Sequence, residues 1–121
     1  MDKITIEIPK KSEYISPLRL TSSSLASVSN FTIDKIEDLK VILSEICVFF
    51  INNVKENQKT LVIDYYICDD KICIEITDNN DERLSKEAIN ENEMFSMIID
   101  SLADYYSIDH EKNKVFFEIF K

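Results

Sequence analysis

The chain contains no glycine at any of its 121 positions, although proteins average roughly 7% glycine. Glycine lets a backbone take positive φ angles and bring its N–H groups against a phosphate, because no Cβ stands in the way. Every phosphate-binding loop of the Walker, Rossmann or protein-kinase type depends on such glycines. The sequence therefore excludes the usual glycine-rich ways of binding a nucleotide phosphate.

Length and charge narrow the class of protein further. A chain of 121 residues with a single apolar pattern predicts one domain, residues 1–121, with one core. The formal net charge of −9 argues against direct contact with nucleic acid, which depends on Lys and Arg. An acidic surface suits a basic protein partner, although ordinary solubility explains the same charge equally well.

The sequence shows no targeting or membrane segment. The chain starts at Met1 with an alternating polar and apolar pattern instead of an export signal, and its longest apolar stretch, residues 46–51, is too short to span a bilayer. We therefore expect a soluble, cytoplasmic protein.

The cysteines and the histidine do not form a metal-binding pattern. Cys47, Cys68 and Cys73 have neither CxxC nor zinc-ligand spacing, so we expect small buried apolar side chains. His110 lies among charged residues, where an exposed turn position is the simpler interpretation. No metal site is predicted.

Hydrophobic periodicity predicts four strands and three helices. Ile4, Ile6 and Ile8 alternate with polar residues in the first strand, and the second helix has apolar residues at spacings of three and four. The predicted strands are 3–8, 60–67, 71–77 and 115–120, and the helices are about 17–30, 34–53 and 94–105, with a polar turn at 109–114. The order β-α-α-β-β-α-β predicts an α/β (α+β) two-layer sandwich, with a mostly antiparallel sheet and three helices on one face.

Several short strings resemble one protein family. They are Ile-Pro at 8–9, Glu-Tyr at 13–14, Pro-Leu-Arg-Leu at 17–20, Ile-Glu-Asp-Leu-Lys at 36–40 and Ser-Glu-Ile-Cys at 44–47. Over nearly the whole chain they are similar to the anti-sigma-factor serine kinases of the RsbW type, in the GHKL ATPase superfamily. The resemblance implies a histidine-kinase-like (Bergerat) ATPase fold and a homodimer. It also implies two kinds of partner, sigma factors and anti-anti-sigma antagonist proteins that present a serine for phosphorylation.

The resemblance also implies a catalytic pair on the second helix, which this sequence keeps only in part. In the family a Glu acts as base and an Asn four residues later holds Mg²⁺. Glu45 matches the base position, but Phe49 stands where the Asn is expected, and a phenyl ring offers no oxygen to a hard cation. Asn52 and Asn53 follow, although neither is four residues from Glu45.

The adenine motif implied by the resemblance appears as Asp78-Asn79-Asn80, with Asn80 at the glycine position. Asn tolerates the left-handed conformation best among non-glycine residues, so the turn is expected to persist. For Asp78, a strand-ending turn residue and a retained adenine contact are equally supported.

The nucleotide lid is altered as well. Glu93 and Phe95 match its glycine positions. From Asp78 to Glu93 inclusive, six acidic residues oppose two basic ones, Arg83 and Lys86, a local charge of −4 that would repel a triphosphate. Phe49, Asp78, Asn80, Glu93 and Phe95 are therefore interpreted as vestigial nucleotide-site positions.

Three functional hypotheses follow. The first is an anti-sigma-like regulator that binds protein partners without ATP, metal or phosphotransfer. The second is a divergent serine/threonine-protein kinase that uses ATP and Mg²⁺, with Glu45 as base and Asn52 or Asn53 as metal ligand. The third is a sensory or structural domain whose former pocket is packed by aromatic and methionine side chains, namely Phe49, Phe50, Phe95, Met94 and Met97. The similarity could also reflect shared element order alone, with Glu45 an ordinary polar residue.

Overall fold

A computed structural model describes residues 1–53, 59–80 and 93–121. Eight regular elements and one 3₁₀ turn, Ser12–Tyr14, lie in these ranges. In chain order the elements are β1 Asp2–Pro9, α1 Ile15–Val28, α2 Ile33–Asn53, β2 Thr60–Ile67, β3 Lys71–Asp78, α3 Glu93–Leu102, β4 Tyr105–Asp109 and β5 Lys114–Phe120.

The strands form one five-stranded sheet in the order β1-β2-β3-β5-β4, and every neighbouring pair is antiparallel. Alternate residues of each strand point towards the helices, so Leu61, Ile63 and Ile74 are fully buried, while intervening residues such as Glu75 are partly exposed. The predicted two-layer α+β sandwich with three helices is confirmed.

Helix α2 forms the centre of the core. Leu39, Ile42, Leu43, Ile46 and Phe50 are each at most 1% exposed, as their spacing predicted. The apolar spacing of the first two helices also predicts inward-facing positions for Val28 and Val41, and both predictions are wrong, since these residues are 80% and 37% exposed. Val28 ends α1, and Val41 is offset by about 100° from the buried Ile42, which places it on the solvent side of the helix.

Strand β4 was not predicted. The apolar spacing suggested a helix continuing to Tyr105, but the helix ends at Leu102, and residues 105–109 pair with β5 instead. Tyr106 and Ile108 pack against the core while Tyr105 and Ser107 are exposed, an alternation that suits a strand. The order of the described elements is therefore β-α-α-β-β-α-β-β.

Asparagine takes over conformations usually left to glycine. Among the described residues, Asn30 and Asn113 have positive φ angles, of 67° and 51°. At the end of α1, Phe31 N–H donates to Ala26 O and Asn30 N–H to Ser27 O, both at 3.1 Å. These two bonds form a Schellman cap with Asn30 at the left-handed position. The helical hairpin thus closes without glycine.

Within the described ranges, the helices are too short or too polar to cross a bilayer.

Candidate functional site

Helices α2 and α3 meet at two aromatic side chains. Phe49 and Phe95 are 2% and 1% exposed, and their rings stack with centroids 4.2 Å apart at an interplanar angle of 16°. Phe50 packs against Phe49 at a tilt, with centroids 6.3 Å apart. The predicted burial of these three phenylalanines is confirmed. They form a continuous aromatic contact under α3.

Met97 does not contribute to the packing around Phe49 and Phe95 as the sequence predicted. Met97 is 66% exposed, so the expectation that it packs into this region was wrong. It precedes the buried Ile99 by two positions on α3, which turns it roughly 160° away from the core. The side chains of Glu93 and Met94 lie outside the described residues.

Glu45 lies at the edge of the solvent-facing stripe of α2. It is half-buried, between the exposed Val41 and Val48. Within residues 1–53, 59–80 and 93–121, its carboxylate has no hydrogen-bond or ion-pair partner. One turn further along the helix, at the predicted metal-ligand position, is the buried ring of Phe49.

Neither nearby asparagine takes over the metal position. Asn52 is exposed and lies seven residues from Glu45, about 10 Å along the helix axis. The Asn53 side-chain amide donates to Phe49 O at 3.0 Å, which ties it to its own helix. Among the described residues of α2, no side-chain carboxamide therefore lies one helical turn beyond Glu45.

Asp78 ends β3, and its carboxylate is held from two sides. Lys10 Nζ lies 2.9 Å from Oδ2, and the two side chains are only 1% and 0% exposed. The second oxygen, Oδ1, accepts hydrogen bonds from Asn80 N at 3.0 Å and from Asn80 Nδ2. These contacts are those of a strand-ending turn residue with a buried ion pair, and the other interpretation, an adenine contact, stays a prediction.

The turn that follows Asp78 is not built as expected. Asn80 is buried, and it is not among the described residues that take a positive φ angle. The Asp78 side chain closes the turn instead, by accepting from the backbone N–H two residues later. A turn thus follows Asp78, but without a left-handed residue at Asn80.

Sequence reasoning missed Lys10. It follows β1, whose last residue pairs with Thr60, and Leu61 in turn lies opposite Asp78. Only the register across three strands brings the ammonium to this carboxylate, so no local pattern could indicate it. A charge buried this deeply is tolerated because its partner is at hydrogen-bonding distance.

The cysteines and the histidine occupy buried or half-buried positions. Cys47 is fully buried, and burial raises its pKa to about 12. Cys73 is buried as predicted, whereas Cys68 is half-buried. His110 lies in a turn as predicted, but it is half-buried instead of exposed. In the described ranges, no cluster of three or more His, Cys, Asp or Glu side chains could hold a metal ion.

The described residues do not fit a Mg²⁺–nucleotide placed as the resemblance implies. The metal-ligand position carries a buried ring, and both oxygens of the adenine-motif carboxylate are engaged by the protein itself. The predicted acidic lid, with Arg83 and Lys86, falls on residues 81–92, outside the described ranges.

The described fold is a two-layer α+β domain with a glutamate on its central helix, as the resemblance to the anti-sigma-factor serine kinases implied. Known proteins agree with this resemblance. The chain is 39% identical over 83 residues to the serine-protein kinases RsbW of Listeria innocua and Listeria monocytogenes serotype 4a. It is 34% identical over 79 residues to the serine-protein kinase RsbW of Bacillus cereus strain AH187.

Each alignment covers 64% of this chain, and 51% of the Listeria proteins or 49% of the Bacillus protein. The chain thus spans about half the length of the curated relatives it matches. No family model matches the sequence. The predicted resemblance to the RsbW type is confirmed, and the state of the nucleotide site stays a prediction.

Proposed function

We propose that this chain is an anti-sigma-type regulatory protein that binds a sigma factor or an antagonist protein in the cytoplasm, without binding ATP and without phosphotransfer. The observation that carries the proposal is the buried stack of Phe49 on Phe95. It occupies the two positions at which the resemblance implies a metal ligand and a lid glycine.

The energetic argument concerns the opening of this stack. Burying a phenylalanine side chain contributes about 1.5–3 kcal/mol, and an aromatic pair adds about 0.5–1.5 kcal/mol. Separating both rings to admit a ligand therefore costs about 4–7 kcal/mol. Since each 1.4 kcal/mol changes affinity tenfold, a micromolar site would become millimolar or weaker.

The ion pair at Asp78 also opposes nucleotide binding. A nucleobase amine could reach the Asp78 carboxylate only by displacing Lys10 or Asn80. Displacing Lys10 would leave a buried ammonium without its carboxylate, which is strongly unfavourable. Adenine recognition by Asp78 therefore has to compete with contacts that the chain makes with itself.

Such a domain can still bind protein partners, because partner binding requires only the surface of the domain. The net charge of −9 suits a basic partner surface.

A homodimer is also part of the proposal. In the described sheet β1 pairs only with β2, so its eight residues form a free edge that a second copy could extend. Size-exclusion chromatography with light scattering should give twice the 14.1 kDa chain mass.

The test of the main proposal is partner capture from the native host, identified by mass spectrometry, with and without added ATP and Mg²⁺. We expect a sigma factor or an antagonist protein, in amounts that nucleotide does not change. Capture of neither, or release of the partner on adding ATP, would count against the proposal.

The alternative is a divergent serine/threonine-protein kinase. The names of the curated relatives favour it, and so does Glu45, whose carboxylate has no partner among the described residues. ATP and Mg²⁺ would then be required, with Glu45 as base and Asn52 or Asn53 near the metal. Labelled ATP incubated with a co-encoded antagonist protein decides between the two. Transfer that is lost in Glu45→Ala but kept in Glu37→Ala, an exposed control on the same helix, would establish the kinase and remove the main proposal.

A further inference from the structure

A groove lies on the face of the sheet opposite the described helices, where β3, β5 and β4 run side by side. Phe116 is directly opposite Glu75 on one side and Ser107 on the other. Residues directly opposite each other on neighbouring strands share a face, and the flanking Val115 and Phe117 point into the core, so these three side chains point away from the helices. The groove is lined by Glu75, Ser107, Asp109, Lys112, Lys114 and Phe116.

The size of the groove suits a small metabolite. Its volume is about 250 Å³, whereas pockets for drug-sized ligands typically enclose about 300–1,000 Å³. The groove is also open to solvent on one side. A ligand about the size of one amino acid fits these dimensions better than a whole nucleotide does.

The four charged side chains of the groove balance, two carboxylates against two ammonium groups. Lys114 Nζ and Glu75 Oε1 form an ion pair at 3.2 Å, with both side chains less than one third exposed. Glu111, in the turn beside the groove, is exposed to solvent and does not line it. One cation and one anion of the groove therefore neutralise each other.

The other two charges lie where β4 turns into β5. Asp109 Oδ1 accepts hydrogen bonds from Glu111 N at 3.1 Å and from Lys112 N at 3.2 Å, which closes the turn. Within the part of the chain that the structure describes, neither Asp109 Oδ2 nor the Lys112 ammonium has a hydrogen-bond or ion-pair partner. The groove thus presents one carboxylate oxygen and one ammonium group that are available to a ligand.

Phe116 supplies an apolar surface between these charges. Its ring is half-buried, and Tyr105 contacts it edge-on, with centroids 6.0 Å apart and an interplanar angle of 63°. An edge-to-face contact of this kind is favourable and fixes the orientation of the ring. The part of the ring that lines the groove can therefore pack against an apolar group.

The arrangement of charges selects the class of ligand. A purely anionic ligand would be repelled by Glu75 and Asp109, and a purely cationic one by the two lysines. A zwitterion with an apolar group avoids both repulsions. Its carboxylate can accept from Lys112 and its ammonium can donate to Asp109, while its apolar group packs on Phe116.

We propose that this groove binds a free amino acid with an aromatic or large aliphatic side chain. The site is on the opposite face of the sheet from Phe49 and Phe95. The inference therefore goes beyond the proposed regulatory function and does not depend on the state of the nucleotide site. Because exposed ion pairs contribute little and the groove is open, the expected dissociation constant is in the millimolar range.

The test titrates the isotope-labelled full chain with L-phenylalanine and follows the backbone amide signals by NMR. We expect saturable shifts confined to the groove, among them the amides of Ser107, Asp109 and Lys112. Hydrocinnamate, which lacks the ammonium group, and phenethylamine, which lacks the carboxylate, should each bind about fivefold more weakly, since each loses one ion pair.

Lys112→Ala tests the residue that would hold the carboxylate. Lys112 is exposed, so the substitution should leave the fold intact. We expect the affinity for L-phenylalanine to fall about fivefold while that for phenethylamine does not fall, because phenethylamine has no carboxylate to lose. Lys11→Ala, an exposed lysine outside the groove, is the matched control and should bind L-phenylalanine as the unaltered chain does.

Three results would overturn the inference. They are shifts centred away from the groove, binding of either analogue as tight as that of L-phenylalanine, and no saturable shift at millimolar L-phenylalanine. Equal loss of affinity in Lys112→Ala and Lys11→Ala would also count against it, because the effect would then come from net charge alone.

Discussion

Phe49 affects both the implied metal-ligand position and the packing of the core. Its ring lies on the central helix one turn beyond Glu45, is 2% exposed, and stacks on Phe95. The position at which the resemblance implies an oxygen ligand for Mg²⁺ therefore carries an aromatic side chain of the core.

We expect Phe49→Ala to destabilise the fold by about 3–5 kcal/mol, because it truncates a buried ring and leaves a cavity beside Phe95. Urea unfolding followed by circular dichroism measures the change. Phe120→Ala is the matched control, since Phe120 is 41% exposed and should cost far less. Equal stability of Phe49→Ala and the unaltered chain would contradict the packing described here.

At the scale of elements, the local spacing of apolar residues was sufficient to predict helix α2 and the β2–β3 hairpin. Helix α2 was expected at 34–53 and is found at Ile33–Asn53, and the β2–β3 hairpin lies within one residue of its predicted bounds. Apolar spacing and the polar Asp69-Asp70 turn were sufficient for these elements.

Long-range pairing explains the elements and contacts that the sequence did not indicate. Strand β4 has only five residues, and Tyr105 also fits the spacing of the preceding helix, so pairing with β5 decides its conformation. The Lys10–Asp78 contact depends on the register of three strands. For the candidate site, residue types were predictable, whereas the partners that engage Asp78 were not.

The Lys10–Asp78 pair ties the end of β1 to the end of β3. We expect Lys10→Met or Asp78→Asn alone to cost about 3–5 kcal/mol, because each leaves one buried group without its charged partner. The double variant should recover most of this loss, since no charge is then left buried. Urea unfolding of the four proteins gives the coupling energy.

Lys11→Met is the control for this cycle, because Lys11 is adjacent but exposed. It should change the free energy of unfolding by less than about 0.5 kcal/mol. Additive effects of the two single substitutions would mean that the ion pair does not couple the strands.

At the scale of the whole molecule, the glycine-free chain forms a two-layer domain, and asparagine occupies the left-handed positions found in its described ranges. The core also contains weakly acidic groups held in the neutral form. Burial raises the pKa of Cys47 from 9.0 to about 12 and that of Tyr65 from 10.0 to about 12. Because these groups ionise at a higher pH in the folded chain than in the unfolded chain, the stability of the fold depends on pH in the alkaline range.

The sign of this linkage follows from which state ionises first. In the unfolded chain the Cys47 thiol ionises near its ordinary value of 9.0, while in the folded chain it stays protonated up to about 12. Stability is therefore intact below about pH 9 and is progressively lost above it, because the unfolded state releases protons first. Melting temperatures across this range should fall, and fall less steeply in Cys47→Ala. A flat profile to about pH 11 would contradict the buried, neutral Cys47.

The central claim is that side chains of the protein itself occupy the positions where relatives would be expected to hold a Mg²⁺–nucleotide. Isothermal titration calorimetry of the full chain with ATP and Mg²⁺ tests it directly. We predict no saturable heat below millimolar ATP, in keeping with an opening cost of about 4–7 kcal/mol for the Phe49–Phe95 stack. Saturable one-to-one binding at micromolar ATP would contradict the account.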